Sequence, residues 1–263
     1  MRTEPPQGIY ENPPKGVDLT LADWSFPDVF KDEVIERLRR LDWRRYPSAD
    51  AMVARQAIAS RFGVAVDTVL ATNGCMEALD LVARWAGQTN SGLLLPSPGY
   101  FAYGRIMNNS GVGVQTYDPA GVERVALREN AHFLICNPNN PTGDWYELET
   151  LKRLKLPDGN RLIVDSTYAF FREDDRTELF GESLHYGFIN LLSFSKAFGL
   201  AGLRLGAITA PVPVLERLAA IRPRYALDLA QIVSIEVLLA ERWYRHAQKQ
   251  WNSVRRETLT LKS

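Results

Sequence analysis

The stretch Ser193-Phe194-Ser195-Lys196-Ala197-Phe198-Gly199-Leu200-Ala201-Gly202-Leu203-Arg204-Leu205-Gly206 decides how this chain is read. It begins at the end of one apolar run, Ile189 to Phe194, and finishes at the start of another, Gly206 to Thr209, so two strands bracket a loop rich in small residues. Lys196 stands in that loop between Ser195 and the apolar pair Ala197 and Phe198, a small and partly apolar setting for an amine. The ordinary alternative, a lysine serving as surface charge, does not call for such neighbours.

Working outward, short apolar runs alternate with helical stretches, the pattern of a largely parallel sheet covered on both faces. Seven candidate strands result: Val69 to Ala71, Leu93 to Leu95, Gly113 to Tyr117, Phe133 to Cys136, Leu162 to Asp165, Ile189 to Phe194 and Gly206 to Thr209. Helical spacing marks Lys31 to Leu41, Asp50 to Phe62, and the stretch holding Met76, Leu79, Val82 and Ala86, the last opened by Asn73-Gly74. A long helical stretch runs from Leu227 to about Arg256, Arg45-Tyr46-Pro47 reads as a loop, and the proline-rich segment Arg2 to Pro27 reads as an extended arm.

Composition narrows the classes. Of 263 residues 46% are hydrophobic and 24% charged, as in a soluble globular protein, and 31 basic residues balance 31 acidic ones. No net field draws the chain to nucleic acid or an anionic membrane, so any bound anion must be held locally. The start lacks the apolar stretch of a signal peptide and no run reaches membrane-spanning length, which predicts a cytoplasmic protein. Two cysteines without a CxxC spacing and three scattered histidines assign no disulfide framework and no metal. Neither a GxGxxG opening a helix after a strand nor a P-loop is present, which argues against a nucleotide-binding oxidoreductase.

Ligands of open α/β sheets collect at the carboxyl ends of the strands. There the sequence places Thr72-Asn73-Gly74-Cys75-Met76, Asn137-Pro138-Asn139-Asn140-Pro141-Thr142-Gly143, Asp165-Ser166-Thr167-Tyr168 and Ser193-Phe194-Ser195-Lys196. Singly these read as a helix cap, a turn, a solvated carboxylate and a surface amine. Four such ends converging at one sheet edge read as a binding site.

The run around Lys196, with Arg204 eight residues on, resembles the lysine motif of fold-type I, class I/II aminotransferases, the histidinol-phosphate aminotransferase branch above all. Arg45-Tyr46-Pro47, Thr72-Asn73-Gly74, Pro98-Gly99-Tyr100-Phe101-Ala102-Tyr103, Asn137 to Gly143 and Asp165 to Tyr168 match it in the same order, over roughly residues 25 to 250. Threonine-phosphate decarboxylases share the pattern.

The resemblance implies a three-layer α/β/α fold with a seven-stranded, mostly parallel sheet and pyridoxal 5′-phosphate as cofactor. It divides the chain into an arm and first helix (1–45), a cofactor-binding large domain (46–225), and a connecting helix leading into an incomplete small domain (226–263). Lys196 would hold the cofactor as a Schiff base and then act as base at the substrate Cα; Asp165 would pair with the ring nitrogen. Asn140 and Tyr168 would face the ring's phenolic oxygen, and Tyr100 would stack on the ring. The amides of Gly74, Cys75 and Met76, the hydroxyls of Ser193 and Ser195, and Arg204 would hold the phosphate, with Tyr46 reaching it from the other subunit of a homodimer.

Two departures stand out. Cys75-Met76 occupies positions where histidinol-phosphate enzymes usually carry serine and aspartate. The family's small domain supplies an arginine for the substrate carboxylate; with that region absent, Arg222 and Arg224 are the nearest arginines in sequence, and weak reaction with amino acids is expected. The leading activity is amino-group transfer between an amino acid or related amine and a 2-oxo acid. Decarboxylation of a phosphorylated amino acid is the alternative, and a cofactor-binding protein with little turnover is a third.

Overall fold

The computed structural model describes residues 24–89, 91–125, 129–172 and 177–262. The arm expected from Arg2 to Pro27 lies mostly outside the described residues; of its end, Phe26 is buried against Phe30. The elements follow in chain order as α1 (Asp28–Arg39), α2 (Met52–Phe62), β1 (Val69–Asn73), α3 (Gly74–Gln88), β2 (Gly92–Pro96), α4 (Ala102–Asn109), β3 (Val114–Tyr117) and β4 (Ala131–Cys136). They continue as α5 (Leu148–Lys152), β5 (Leu162–Asp165), α6 (Thr177–His185), β6 (Ile189–Ser193), β7 (Leu205–Thr209), α7 (Val212–Ala220), α8 (Leu229–Leu239) and α9 (Glu241–Lys262).

All seven expected strands form one sheet in the order β1-β7-β6-β5-β4-β2-β3. Their side chains alternate between two covering layers, as the two-residue strand period requires. Leu134, Ile163, Ile189 and Leu191 face a core shared with α3, α4 and α7. On the other face, Phe133, Ile135, Leu162 and Val164 pack toward α5, while Leu192, Leu205 and Ala207 join a core with α1, α2, α8 and α9. The architecture is the three-layer α/β/α arrangement.

One strand runs against the rest. β7 pairs antiparallel with both β6 and β1, whereas the other pairs are parallel. A parallel return would need a crossover of about a dozen residues or more. The shorter link from β6 to β7 turns the chain straight back, so β7 starts, at Arg204-Leu205, at the edge where β1, β4, β5 and β6 end. That reversal brings Arg204 into the same cleft as Lys196.

The stretch expected as one long helix from Leu227 to Arg256 is two. Ala240 is extended (φ −60°, ψ 142°) and ends α8, whose last carbonyl, that of Leu239, accepts from Arg61 Nε at 3.1 Å and Nη2 at 2.8 Å. Neither proline nor glycine marks this break; Arg61 satisfies the freed carbonyl from across the core. Ile235, Val237, Leu238, Trp243, Tyr244 and Trp251 of these helices lie in the same core as Phe26, Phe30 and Phe194, so the segments on both sides of positions 45 and 225 share one hydrophobic core.

Among the described residues no helix is long and apolar enough to cross a membrane.

Candidate active site

A cleft of about 700 Å³ opens at the carboxyl edge of the sheet, of the size that small-molecule sites take. It is lined by Lys196, Asp165, Tyr168, Asn140, Tyr100, Cys75, Met76, Ser193, Ser195 and Arg204, ten residues expected from sequence and drawn from five separate segments. Gly74 adjoins it through Arg204. Tyr46 is not among the lining residues: it is 81% exposed and its ring packs at a tilt against Tyr225, with ring centroids 4.8 Å apart.

One end of the cleft is made by backbone. α3 starts at Gly74, whose φ of +69° suits glycine, and a Cβ there would lie 2.8 Å from Arg204 Nη2. The side chain of the N-cap residue Asn73 makes no capping bond to this helix start. Asn73, which by type reads as a cap, instead accepts at Oδ1 from Gln231 Nε2 at 3.0 Å. The first amides of α3 are therefore left for an anion, with the helix dipole favouring one. Arg204 is itself left-handed (φ 54°, ψ 53°), a conformation costing a non-glycine residue about 1 kcal/mol. Gln231 Nε2 holds its carbonyl at 3.1 Å. Gly206 lets β7 approach the helix start: a Cβ there would sit 2.7 Å from the Gly74 carbonyl carbon. Ser193 and Ser195, both buried, complete this end.

The other end is made by side chains. Asp165, 3% exposed, accepts at Oδ2 from Tyr103 Oη at 2.6 Å and at Oδ1 from the Thr167 amide at 3.0 Å. Cys75 Sγ stands 3.9 Å from the same Oδ1. Burial first, and the neighbouring Asp165 charge second, push the Cys75 thiol and the Tyr103 phenol well above their ordinary values, so both keep their protons. Asn140 Nδ2 reaches Tyr168 Oη at 3.5 Å, and burial raises the Tyr168 phenol too, which keeps it a donor. Tyr100 is tilted at 84° to Tyr103, with its hydroxyl 3.7 Å from Met76 Sδ. Lys196 is half-buried in the same lining.

Arg222 does not face the cleft as a free cation. Its Nε and Nη2 clasp both oxygens of Glu77 at 2.8 and 2.9 Å, and Glu77 also accepts from the Asn73 amide at 2.6 Å. The pair is largely buried, with side chains 5% and 18% exposed, and braces the first turn of α3. Arg224 lies over the Tyr225 ring at 5.8 Å. Of the residues lining the cleft, Lys196 and Arg204 are the cations.

Tyr103, Thr167 and Gln231 are site residues that sequence reading passes over. Tyr103 carries a signal in its spacing: it stands three residues after Tyr100, just inside α4, and the two rings meet edge-on with centroids 5.4 Å apart.

A sheet of this order with an amine, a buried carboxylate and a glycine-led helix start at its carboxyl edge defines a fold-type I pyridoxal-phosphate enzyme. The chain belongs to the aminotransferase class I and II family, whose model matches residues 17–258. It is 29% identical over 245 residues to a histidinol-phosphate aminotransferase of Thermococcus gammatolerans, a match covering 91% of this chain and 70% of that one. The solved L-threonine-O-3-phosphate decarboxylase of Porphyromonas gingivalis superposes with a TM-score of 0.75 at 26% identity, covering 87% of this chain and 69% of the other. The histidinol-phosphate aminotransferase of Sinorhizobium meliloti, solved with pyridoxal-5′-phosphate, shares the fold with a TM-score of 0.72 at 19% identity, over 88% and 65% of the two chains.

Pyridoxal phosphate, the cofactor of this family, fits the residues present. Its phosphate matches the first amides of α3 beside Arg204, whose guanidinium takes the space a Gly74 Cβ would need.

Proposed function

We propose that the cleft carries out amino-group transfer between an amino acid or amino-acid-derived amine and a 2-oxo acid, with Lys196 as the amine that bonds the cofactor aldehyde. The single observation behind this assignment is convergence: Lys196, Asp165, the Asn140–Tyr168 pair and Arg204 line one cleft from separate segments. When bound, pyridoxal phosphate supplies a ring that withdraws the electron pair left at the substrate Cα. Arg204, Ser193, Ser195 and the amides of Gly74, Cys75 and Met76 bind the phosphate. Asp165 holds a proton on the ring nitrogen through its carboxylate. Tyr168 and Asn140 orient donors toward the phenolic oxygen, and Tyr100 covers the ring face. Lys196 Nζ would serve as the base that moves the substrate Cα proton, which transfer relocates to the cofactor's aldehyde carbon across the intervening nitrogen.

The same reading makes the enzyme a cytoplasmic homodimer in which Tyr46 serves the partner subunit's cofactor; its exposure outside its own cleft supports this. Mixing Tyr46→Phe with Lys196→Ala protomers tests it: shared sites give activity that differs from the sum of the two parents.

Decarboxylation of a phosphorylated amino acid is the second reading, favoured by the likeness to the Porphyromonas enzyme. Product analysis after a single turnover with a panel of amino acids and amines separates the two. A 2-oxo acid or an aldehyde with the amino group retained on the cofactor supports transfer; carbon dioxide with the amine released overturns it.

A further inference from the structure

Asp165 is enclosed by donors from three places in the fold. Tyr103 of α4 serves Oδ2 at 2.6 Å, the Thr167 amide serves Oδ1 at 3.0 Å, and the Cys75 thiol at the head of α3 stands 3.9 Å from Oδ1. Tyr103 is 2% exposed, and a tyrosine buried there for packing alone has no need of its hydroxyl. A carboxylate rotates easily about its last torsion, which is broad and two-fold, so one amide does not fix the plane of the group. The second oxygen needs its own donor. Tyr103 supplies it from a helix packed on the sheet, and burial with the nearby Asp165 charge keeps the phenol protonated.

We propose that Tyr103 is a positioning residue, whose hydroxyl holds Asp165 Oδ2 so that the carboxylate plane is set for the cofactor's ring nitrogen before the cofactor binds. This rests on the reading of Asp165 as the partner of that nitrogen. The other groups around the carboxylate do not duplicate the role: Cys75 and Cys136 are weak donors, Tyr100 and Tyr168 are directed to other partners, and the Arg204 guanidinium lies against Gly74.

The test is a double-mutant cycle of Tyr103→Phe and Asp165→Asn, read three ways: single-turnover amino-group transfer, cofactor dissociation followed by absorbance, and the urea midpoint of the cofactor-free protein. Tyr103→Phe removes one oxygen and keeps the ring. In the native background it should slow transfer about ten- to hundredfold, the worth of one hydrogen bond to a charged group. In the Asp165→Asn background it should change the rate less than about twofold, and the apoprotein midpoints should show the same non-additivity. Equal effects in both backgrounds, or an unchanged rate in Tyr103→Phe, overturn the proposal. If Asp165→Asn alone transfers at a near-native rate, the assignment of Asp165 is wrong, while coupling in the apoprotein still reports the Tyr103 contact. Should Tyr103→Phe fail to fold, Tyr103→His, which keeps a ring donor, takes its place, and a rate at or below that of Asp165→Asn overturns the proposal.

Discussion

The two ends of the cleft are built by different means. Where the phosphate is assigned, backbone shapes the site and the Arg204, Ser193 and Ser195 side chains add to it: a glycine at φ +69°, a helix start that the Asn73 side chain leaves uncapped, a left-handed Arg204, and Gly206 letting β7 close in. Where the ring is assigned, they are side chains, each with its own partner: Asp165 with Tyr103 and Thr167, Asn140 with Tyr168. A site made of amides tolerates changes in side chain. That explains how Cys75-Met76 can replace the residues usual in histidinol-phosphate enzymes while the helix start keeps its form. A site made of side chains has no such latitude.

The comparison yields an ordered set of expectations. The ring end should show the largest effect: Asp165→Asn should slow Cα deprotonation by about three orders of magnitude or more, each factor of ten being about 1.4 kcal/mol, while cofactor affinity falls little. Stopped-flow half-reactions and an absorbance titration give the two numbers. If affinity falls as far as rate, the division between the ends is wrong.

Behind the phosphate end, Arg222→Ala strips a largely buried Glu77 of its partner and should cost about 3 kcal/mol of stability, measured by urea unfolding. Only a loss well above that of the exposed pair Arg40–Glu36, worth about 0.5 kcal/mol, fits the bracing role. Arg204→Ala should then weaken cofactor binding about ten- to hundredfold, the value of a charge-assisted contact, with the half-reaction of saturated enzyme nearly unchanged. A variant that binds normally but turns over slowly would place Arg204 at the ring end.

The smallest effect lies at the opposite edge of the sheet and serves as a control. His132 stacks on Trp85, with centroids 4.3 Å apart, and burial followed by the charge of Arg161 lowers its pKa from 6.5 to about 4. The unfolded chain thus binds a proton that the folded chain refuses. His132 costs the fold nothing above pH 6.5 and destabilises it progressively as pH falls toward 4, by about 1–2 kcal/mol between pH 7 and pH 5. The midpoint of urea unfolding should fall over that window, and His132→Leu should flatten this part of the profile.

Much of this contrast was legible in the sequence, for a physical reason. Strands buried on both faces read as continuous apolar runs, so all seven are found within about two residues of their ends, and their carboxyl ends name the polar residues of the cleft. The direction of β7 was not legible, because apolar periodicity is the same for parallel and antiparallel strands. Nor was the break at Ala240, which Arg61 stabilises from about 180 residues away. Tyr103 and Gln231 were missed because their roles are tertiary contacts, made between elements far apart in the chain.

The central claim is that Lys196 bonds the cofactor in this cleft, and borohydride reduction followed by peptide mapping tests it most directly. The purified protein with pyridoxal phosphate should show an absorption band that borohydride abolishes, leaving the cofactor fixed to the peptide bearing Lys196, and Lys196→Ala should show neither. A borohydride-stable adduct on another residue, or one that persists in Lys196→Ala, would contradict the account.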